Sequence, residues 1–175
     1  KPGITTDEID SLCYEFINDN DAYSAPLFYR GFTKSCCTSP NHTICHGIPG
    51  DKTLTDGDIV NVDVTSFKNG WHGDTSRMFY VGEVSVKAKK LIDVTYQSMM
   101  QAIKILNKDI TLGDIGSTIQ TYAENEGFSV VRDFCGHGIG RVFHQEPNIL
   151  HYGRKGTGPK LKPGMIFTIE PLINE

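Results

Sequence analysis

Hydrophobic and polar residues alternate along the segment 59–65, which reads Ile-Val-Asn-Val-Asp-Val-Thr. Three valines form an apolar set, and the residues between them are polar. A period of two is typical of a β-strand with one buried face. The Asn69-Gly70 pair that follows favours a two-residue turn with positive φ. The pattern therefore predicts a β-hairpin over residues 58–82.

The turn also predicts which residues of this hairpin face each other. If the residues flanking the Asn-Gly pair are partners, Asp63 and Asp74 project from the same face as diagonal neighbours, roughly 7–8 Å apart at the backbone. A slip of one residue would place them on opposite faces. Two carboxylates at this separation repel each other unless a cation lies between them. The alternative interpretation is an exposed acidic pair near a turn.

A period of 3.6 predicts three helices. Thr5 and Glu8 have the spacing of a capping box, which opens a helix with one apolar stripe formed by Ile9, Leu12, Cys13, Phe16 and Ile17. Further helices are expected at about 85–107 and 114–126. Strands are expected at 128–134 and 165–170, separated by a connection of about 30 residues that is either functional or contains a hairpin. Because strands and helices interleave without a βαβ rhythm, we expect an α+β fold with helices covering a largely antiparallel sheet.

Composition narrows the class of protein. A chain of 175 residues with 38% hydrophobic residues can bury one sizeable core. The net charge of −4 and the absence of a long Lys/Arg run argue against nucleic-acid binding, and no apolar stretch has membrane-spanning length. Five cysteines without a CxxC pair predict reduced thiols in an intracellular compartment. We expect a single catalytic domain over residues 1–175, cut from a longer chain at both ends.

Four residues have the chemistry of a metal site: Asp63, Asp74, His137 and Glu170. Oxygen-rich ligand sets with one imidazole suit hard or borderline divalent ions. His137 lies between two glycines, where the backbone can approach a ligand closely. Glu170 ends an apolar run, and a carboxylate at the end of a buried strand is costly unless it is paired or bound to a cation. A loop histidine and an edge-strand glutamate facing water are the respective alternatives.

The other histidines divide into two groups. His144 and His46 are candidates for proton donation or for stabilising an oxyanion, because each lies beside an aromatic residue or a glycine. His42, His72 and His151 have no supporting context, and we interpret them as surface groups.

Five segments, in this order along the chain, resemble the signature sequences of the methionine aminopeptidases. They are CHGIPGD (45–51), DGDIVNVDVT (56–65), NGWHGDTSRMF (69–79), FCGHGIGRVFHQEPN (134–148) and LKPGMIFTIEP (161–171). The resemblance is to the type I enzymes, since the 26 positions from His144 to Glu170 leave no room for the helical insertion of type II. The family implies the pita-bread fold, with two pseudo-twofold halves around a dinuclear metal centre, and with its C-terminal strands missing from this chain.

The resemblance also implies roles for individual residues. Asp63 is a bidentate ligand of one metal ion, Asp74 bridges both ions, and His137 and Glu170 bind the other ion. A bridging water is the nucleophile, and Glu170 transfers its proton. His144 and His46 contact the scissile peptide bond. The pocket for the methionine side chain comprises Tyr29, Phe32, Cys37 and Phe143, with Phe32 standing where many relatives have Tyr.

The implied function is removal of the initiator methionine from nascent polypeptides whose second residue is small. An X-Pro-directed peptidase of the same fold, a catalytically inactive protein-binding module and a structural domain with a metal-stabilised hairpin are the alternatives. The cofactor would be two divalent ions, with Co, Mn, Fe(II) and Zn all suited to the ligands. We expect a cytoplasmic monomer, with an organelle as the alternative location and the ribosome as a candidate partner. Because the family's fifth ligand is expected beyond Glu175, we expect the isolated segment to be poorly active.

Overall fold

The computed structural model describes all 175 residues, and these divide into two compact units. The first unit comprises Lys1–Ala88 with Arg141–Phe143, and the second comprises Lys89–Gly140 with His144–Glu175. All strand pairs in both units are antiparallel. The mixture of helices and antiparallel strands confirms the predicted α+β class. That both units form one catalytic domain stays a prediction.

The first unit contains one helix and a four-stranded sheet. In chain order these are α1 (Thr6–Asp19), β1 (Tyr23–Ser24), a short 3-10 helix (Tyr29–Gly31), β2 (Cys37–Pro40), β3 (Ile59–Lys68) and β4 (Trp71–Tyr80). Strand β3 pairs with β1, β2 and β4. Helix α1 packs against β1 and β2, and a small core of Leu54, Val60 and Val81 lies in this unit.

Helix α1 begins as its sequence predicts. The Glu8 N–H donates to the Thr5 hydroxyl at 3.1 Å, and the Thr5 N–H donates to the Glu8 carboxylate at 2.7 Å, which completes the capping box. The predicted apolar stripe is partly wrong, since Leu12 and Phe16 are 60% and 71% exposed. Ile17 is buried as predicted. Asp10, outside the predicted stripe, is also buried, because it accepts hydrogen bonds from the chain that leads into β2.

The second unit contains two helices and two small sheets. Its elements are α2 (Val86–Lys104), which begins at the unit boundary, α3 (Leu112–Asn125), β5 (Ser129–Val130), β6 (Gly136–Gly138), β7 (Gln145–Ile149) and β8 (Ile173–Asn174). Strand β5 pairs with β8, and β6 pairs with β7. Helix α3 packs against β5 and β7 and contributes Ile115, Ile119 and Ala123 to the larger core. None of the helices is long and apolar enough to span a membrane.

Two strand predictions in this unit need correction. The expected strand 128–134 is reduced to the two residues of β5, and 165–170 forms a single bridge, from Phe167 to Gly138, rather than a strand. Strand β6 has three residues and a register shift, so it offers this segment few backbone partners. Two backbone hydrogen bonds join the segment 165–170 to β6 and the residue after it. The Ile139 N–H donates to the Ile166 carbonyl at 3.1 Å, and the Thr168 N–H donates to the His137 carbonyl at 2.9 Å. The long connection before it contains the β6–β7 hairpin.

Candidate metal centre and substrate residues

The hairpin of the first unit has the predicted register. Asp63 lies opposite Ser76, and Thr65 lies opposite Asp74. Because one pair is offset from the other by two residues, both aspartates project from the same face as diagonal neighbours. Both are half-buried. The first unit therefore presents two carboxylates on one face of a regular ladder.

Cys37 lies beside this carboxylate pair. It is the backbone partner of Asp63 across β2 and β3, and its side chain is 7% exposed. Burial, with the neighbouring charges of Asp63 and Asp74 adding to it, raises the pKa of the Cys37 thiol to about 12. At neutral pH the thiol is therefore uncharged, as a sulfur lining an apolar pocket should be.

His46 lies on the connection between β2 and β3, held against β2 by the residue that follows it. The Thr38 N–H donates to the Gly47 carbonyl at 2.9 Å, and the Gly47 N–H donates to the Ser39 hydroxyl at 3.1 Å. A Cβ at position 47 would lie 2.0 Å from the Thr38 carbonyl oxygen. Glycine is therefore required here, and it sets His46 in the left-handed region at φ 52° with an exposed ring.

Two of the predicted pocket residues are in ring contact within the first unit. Tyr29 and Phe143 have ring centroids 5.0 Å apart at an interplanar angle of 48°. Phe32 is half-buried and directly follows the 3-10 helix, where its N–H donates to the Tyr29 carbonyl at 3.0 Å. The first unit thus holds all four predicted pocket residues, because Phe143 belongs to the segment Arg141–Phe143.

In the second unit, His137 lies on β6 with 8% of its surface exposed. Its backbone N–H donates to the Thr168 hydroxyl at 2.9 Å, and its ring Nδ1 lies 3.0 Å from the Gly138 carbonyl. A carbonyl oxygen is an acceptor, so this contact requires a proton on Nδ1. A histidine whose Nδ1 donates to a carbonyl is oriented to bind a metal ion through Nε2 once that nitrogen is deprotonated.

Glu170 lies next to His137 Nε2. Its Oε1 is 3.5 Å from His137 Nε2 and accepts a hydrogen bond from the Thr168 hydroxyl at 2.5 Å. The side chain is 42% exposed, so the interpretation of Glu170 as the end of a buried strand is wrong. The segment that carries it has too few backbone partners to bury it.

His151 anchors the backbone at Glu170. The Glu170 N–H donates to His151 Nε2 at 3.1 Å. His151 is 1% exposed, and burial lowers its pKa to about 4, which keeps the ring neutral and able to accept this bond. Our interpretation of His151 as a surface group is wrong.

The donor set of the second unit fits a cation. His137 Nε2 and Glu170 Oε1 lie 3.5 Å apart, and an imidazole nitrogen and a carboxylate oxygen are both common ligand atoms for divalent ions. Both atoms are close enough to bind one such ion together. The His144 ring lies near this pair, 4.2 Å from the His137 ring between centroids. Both histidines line a cleft of about 410 Å³ with Cys135, Gln145, Glu146 and Asn148.

Sequence reasoning missed two residues that orient this pair, Thr168 and His151. A threonine within the apolar run 165–169 is a usable signal, since a polar residue inside such a run needs a hydrogen-bond partner. Nothing in the sequence around His151 distinguishes it from a surface histidine. Its role depends on a partner 19 positions away.

Comparison with known proteins decides the family. The sequence matches metallopeptidase family M24 over residues 1–175. The chain belongs to metallopeptidase family M24. Among M24 members, it is 59% identical over 174 residues to the methionine aminopeptidase of Rickettsia prowazekii, covering 99% of this chain and 67% of that protein. The resemblance to methionine aminopeptidases is confirmed.

Solved structures of the M24 family confirm the pita-bread fold. The crystal structure of the Rickettsia prowazekii methionine aminopeptidase superposes with a TM-score of 0.98, covering 99% of this chain and 70% of that one. The X-Pro aminopeptidase of Thermotoga maritima superposes with a TM-score of 0.78 at 22% identity, covering 98% of this chain and 46% of that one, which shows a shared fold. Membership of a metallopeptidase family implies divalent metal ions as the cofactor.

Proposed function

We propose that this protein is a metal-dependent aminopeptidase that hydrolyses the N-terminal methionine from polypeptides. The observation that carries the proposal is the combination of 59% identity to a methionine aminopeptidase with a His137 Nε2 that lies 3.5 Å from the Glu170 carboxylate. Identity at this level over nearly the whole chain favours the methionine-specific reaction over the X-Pro-directed alternative, whose representative shares 22%.

The proposed metal ligands are Asp63 and Asp74 from the first unit and His137 and Glu170 from the second. Within the first unit, the hairpin register supports two carboxylates that act together. Within the second, the Nδ1 contact to Gly138 orients the ring so that Nε2 lies 3.5 Å from the Glu170 carboxylate. We propose two divalent ions, since the family resemblance gives Asp74 a bridging role. When bound, such ions lower the pKa of a water molecule and polarise the peptide carbonyl.

Around the metal ligands, we propose distinct roles for three further groups. Glu170 holds and transfers the proton of the attacking water, because its carboxylate is 42% exposed and is oriented by a hydrogen bond from the Thr168 hydroxyl. His144 lines the cleft beside His137 and orients the scissile peptide bond. His46, exposed and set by Gly47, contacts the amide on the substrate side.

The methionine side chain is proposed to bind against Tyr29, Phe32, Cys37 and Phe143. An unbranched thioether makes favourable contacts with aromatic rings and sulfur. The ring contact of Tyr29 with Phe143 and the uncharged thiol of Cys37 support an apolar pocket of this kind.

Removal of the initiator methionine implies where the enzyme acts and which partners it meets. An enzyme that acts on the initiator methionine meets its substrate as nascent chains emerge, so we propose the compartment of translation as its location: the cytoplasm, or an organelle with its own ribosomes. We propose that it acts as a monomer and that the ribosome is a candidate docking partner.

The test is release of free methionine from Met-Ala-Ser by the natural full-length protein, with Mn²⁺ and with the metal removed by a chelator. We expect metal-dependent release that falls at least about 100-fold in His137→Ala, since loss of a ligand or its support typically costs that much. His42→Ala, an exposed histidine outside the proposed site, is the matched control and should retain activity. An X-Pro peptide should not be cleaved. A folded, metal-loaded protein that releases no methionine would support the binding-module alternative.

A further inference from the structure

The end of the hairpin in the first unit contacts the segment Arg141–Phe143 at two points. At the first point, the Arg141 guanidinium carbon lies 4.2 Å from the centroid of the Trp71 ring, which is a close cation–π contact. Arg141 Nη1 also donates to the Gly70 carbonyl at 3.3 Å. Gly70 has φ +82°, and a Cβ there would lie 2.4 Å from Arg141 Nη1. The turn that closes the hairpin therefore also leaves room for the Arg141 side chain.

The second point of contact is His72. Its ring stacks on Phe143 with centroids 5.4 Å apart and an interplanar angle of 16°. The His72 ring also contacts Phe67, with centroids 4.7 Å apart and an interplanar angle of 47°. Phe143 in turn contacts Tyr29 at 5.0 Å. Four rings thus form a continuous series, Phe67–His72–Phe143–Tyr29, within one unit.

His72 is half-buried and placed by the ladder, since it pairs with Phe67 across β3 and β4. Strand pairing fixes its backbone, and contacts with two rings restrict its rotamer. Phe143, by contrast, lies outside any strand or helix, on the segment between β6 and β7. Its position in the first unit therefore depends on side-chain contacts, and His72 and Tyr29 supply two of them.

We propose that Trp71 and His72 are positioning residues that set Phe143 against Tyr29 and thereby determine specificity for the methionine side chain. This inference rests on the proposed function, in which Phe143 and Tyr29 line the methionine pocket. Trp71 holds the start of the segment through Arg141, and His72 holds the Phe143 ring at its face. Neither residue needs to touch the substrate.

The first experiment compares His72→Ala with His72→Phe in the natural full-length protein. For His72→Ala we expect KM for Met-Ala-Ser to rise roughly tenfold, the fold-change expected when an aromatic pair is lost. We expect kcat to change less than twofold and the preference for Met-Ala-Ser over Leu-Ala-Ser to fall. His72→Phe keeps a stacking ring and should restore both KM and preference. His42→Ala is the control for loss of a histidine elsewhere in the same unit.

Metal content must be measured for each variant, because His72 lies two residues from Asp74. A KM that rises only together with loss of bound metal would overturn the inference. An unchanged KM and an unchanged preference for Met-Ala-Ser in His72→Ala would also overturn it, and so would a His72→Phe variant that recovers neither KM nor preference. If His72→Ala does not fold, Arg141→Ala gives the same test from an exposed position. It should raise KM about threefold in the same direction, and an unchanged KM there would count against the role of Trp71. Absence of methionine release by the unmodified protein would contradict the proposed function instead.

Discussion

The two units present their candidate ligands in contrasting ways. In the first unit, Asp63 and Asp74 lie on ten-residue strands whose backbone groups pair along a regular ladder. In the second, His137 lies on a three-residue strand, and Glu170 lies on a segment with a single bridge. The second pair is held instead by individual side chains, Thr168 and His151. Many backbone hydrogen bonds therefore maintain the positions of the ligands in the first unit, whereas few contacts maintain them in the second.

This difference predicts unequal tolerance to substitution. A ladder can lose one side chain and keep its register, because the turn geometry and the remaining backbone pairs still specify it. An irregular segment that loses one of two or three contacts has no substitute for it. Three predictions test this contrast, in order of decreasing expected effect.

The largest effect is expected at glycines. A Cβ at Gly138 would lie 2.3 Å from the Glu146 carbonyl oxygen, whereas a Cβ at Gly73 would meet Ser66 Oγ at 3.8 Å, an ordinary contact. We expect Gly138→Ala to lower the free energy of unfolding by about 3 kcal/mol, since neither backbone can yield easily. Gly73→Ala should change it by less than about 1 kcal/mol. Urea denaturation of both variants measures the difference, and equal losses would contradict the contrast between the units.

The next effect concerns His151, whose Nε2 accepts the hydrogen bond from the backbone N–H of Glu170. In His151→Leu, this partly buried N–H loses its partner, which should lower the free energy of unfolding by about 1–3 kcal/mol and also reduce methionine release. His151→Gln offers an amide oxygen near the position of Nε2 and should recover part of both losses. Denaturant titration and the Met-Ala-Ser assay are the measurements. If His151→Leu and His151→Gln behave alike, the hydrogen bond to Glu170 is not what fixes this segment.

The smallest effect concerns a part of the first unit where side chains, rather than the ladder, join α1 to the chain that leads into β2. Asp10 on α1 accepts from the Cys36 N–H at 3.0 Å, and Cys13 lies one turn further along α1. Interaction with the Cys36 thiol lowers the pKa of Cys13, while the pKa of Cys36 is raised by the same interaction and by burial.

We therefore expect iodoacetamide to alkylate half-exposed Cys13 at a lower pH than an ordinary thiol requires, and well before buried Cys36. In Cys36→Ala the interaction between the two thiols is lost, so the midpoint of the Cys13 alkylation rate should move to a higher pH. Mass spectrometry of the labelled peptides measures both. A midpoint that is unchanged in Cys36→Ala would mean that the two thiols do not interact. We expect methionine release to be the same in Cys36→Ala and in the unmodified protein.

The sequence by itself determined the parts of this protein that local rules govern. The alternation in 59–65 with the Asn69-Gly70 turn predicted the register that places Asp63 and Asp74 on one face, and the structure has that register. The Thr5–Glu8 capping box was confirmed, although the equivalent box from Thr111 to Asp114 went unrecognised and α3 begins at Leu112, earlier than expected. Signature segments also gave the family, because their residues and order can be compared without knowing the fold.

Tertiary structure alone decided how His137 and Glu170 are held. The Thr168 hydroxyl contacts a residue 31 positions away, and His151 one 19 positions away. No periodicity in the sequence encodes such pairs, since each depends on where two irregular segments meet after folding. The same applies to His72, whose neighbours suggested a surface residue until the fold brought Phe143 onto its ring. Local patterns specify backbone conformation and side-chain direction, whereas the partner of a buried polar or aromatic group is set by packing between distant segments.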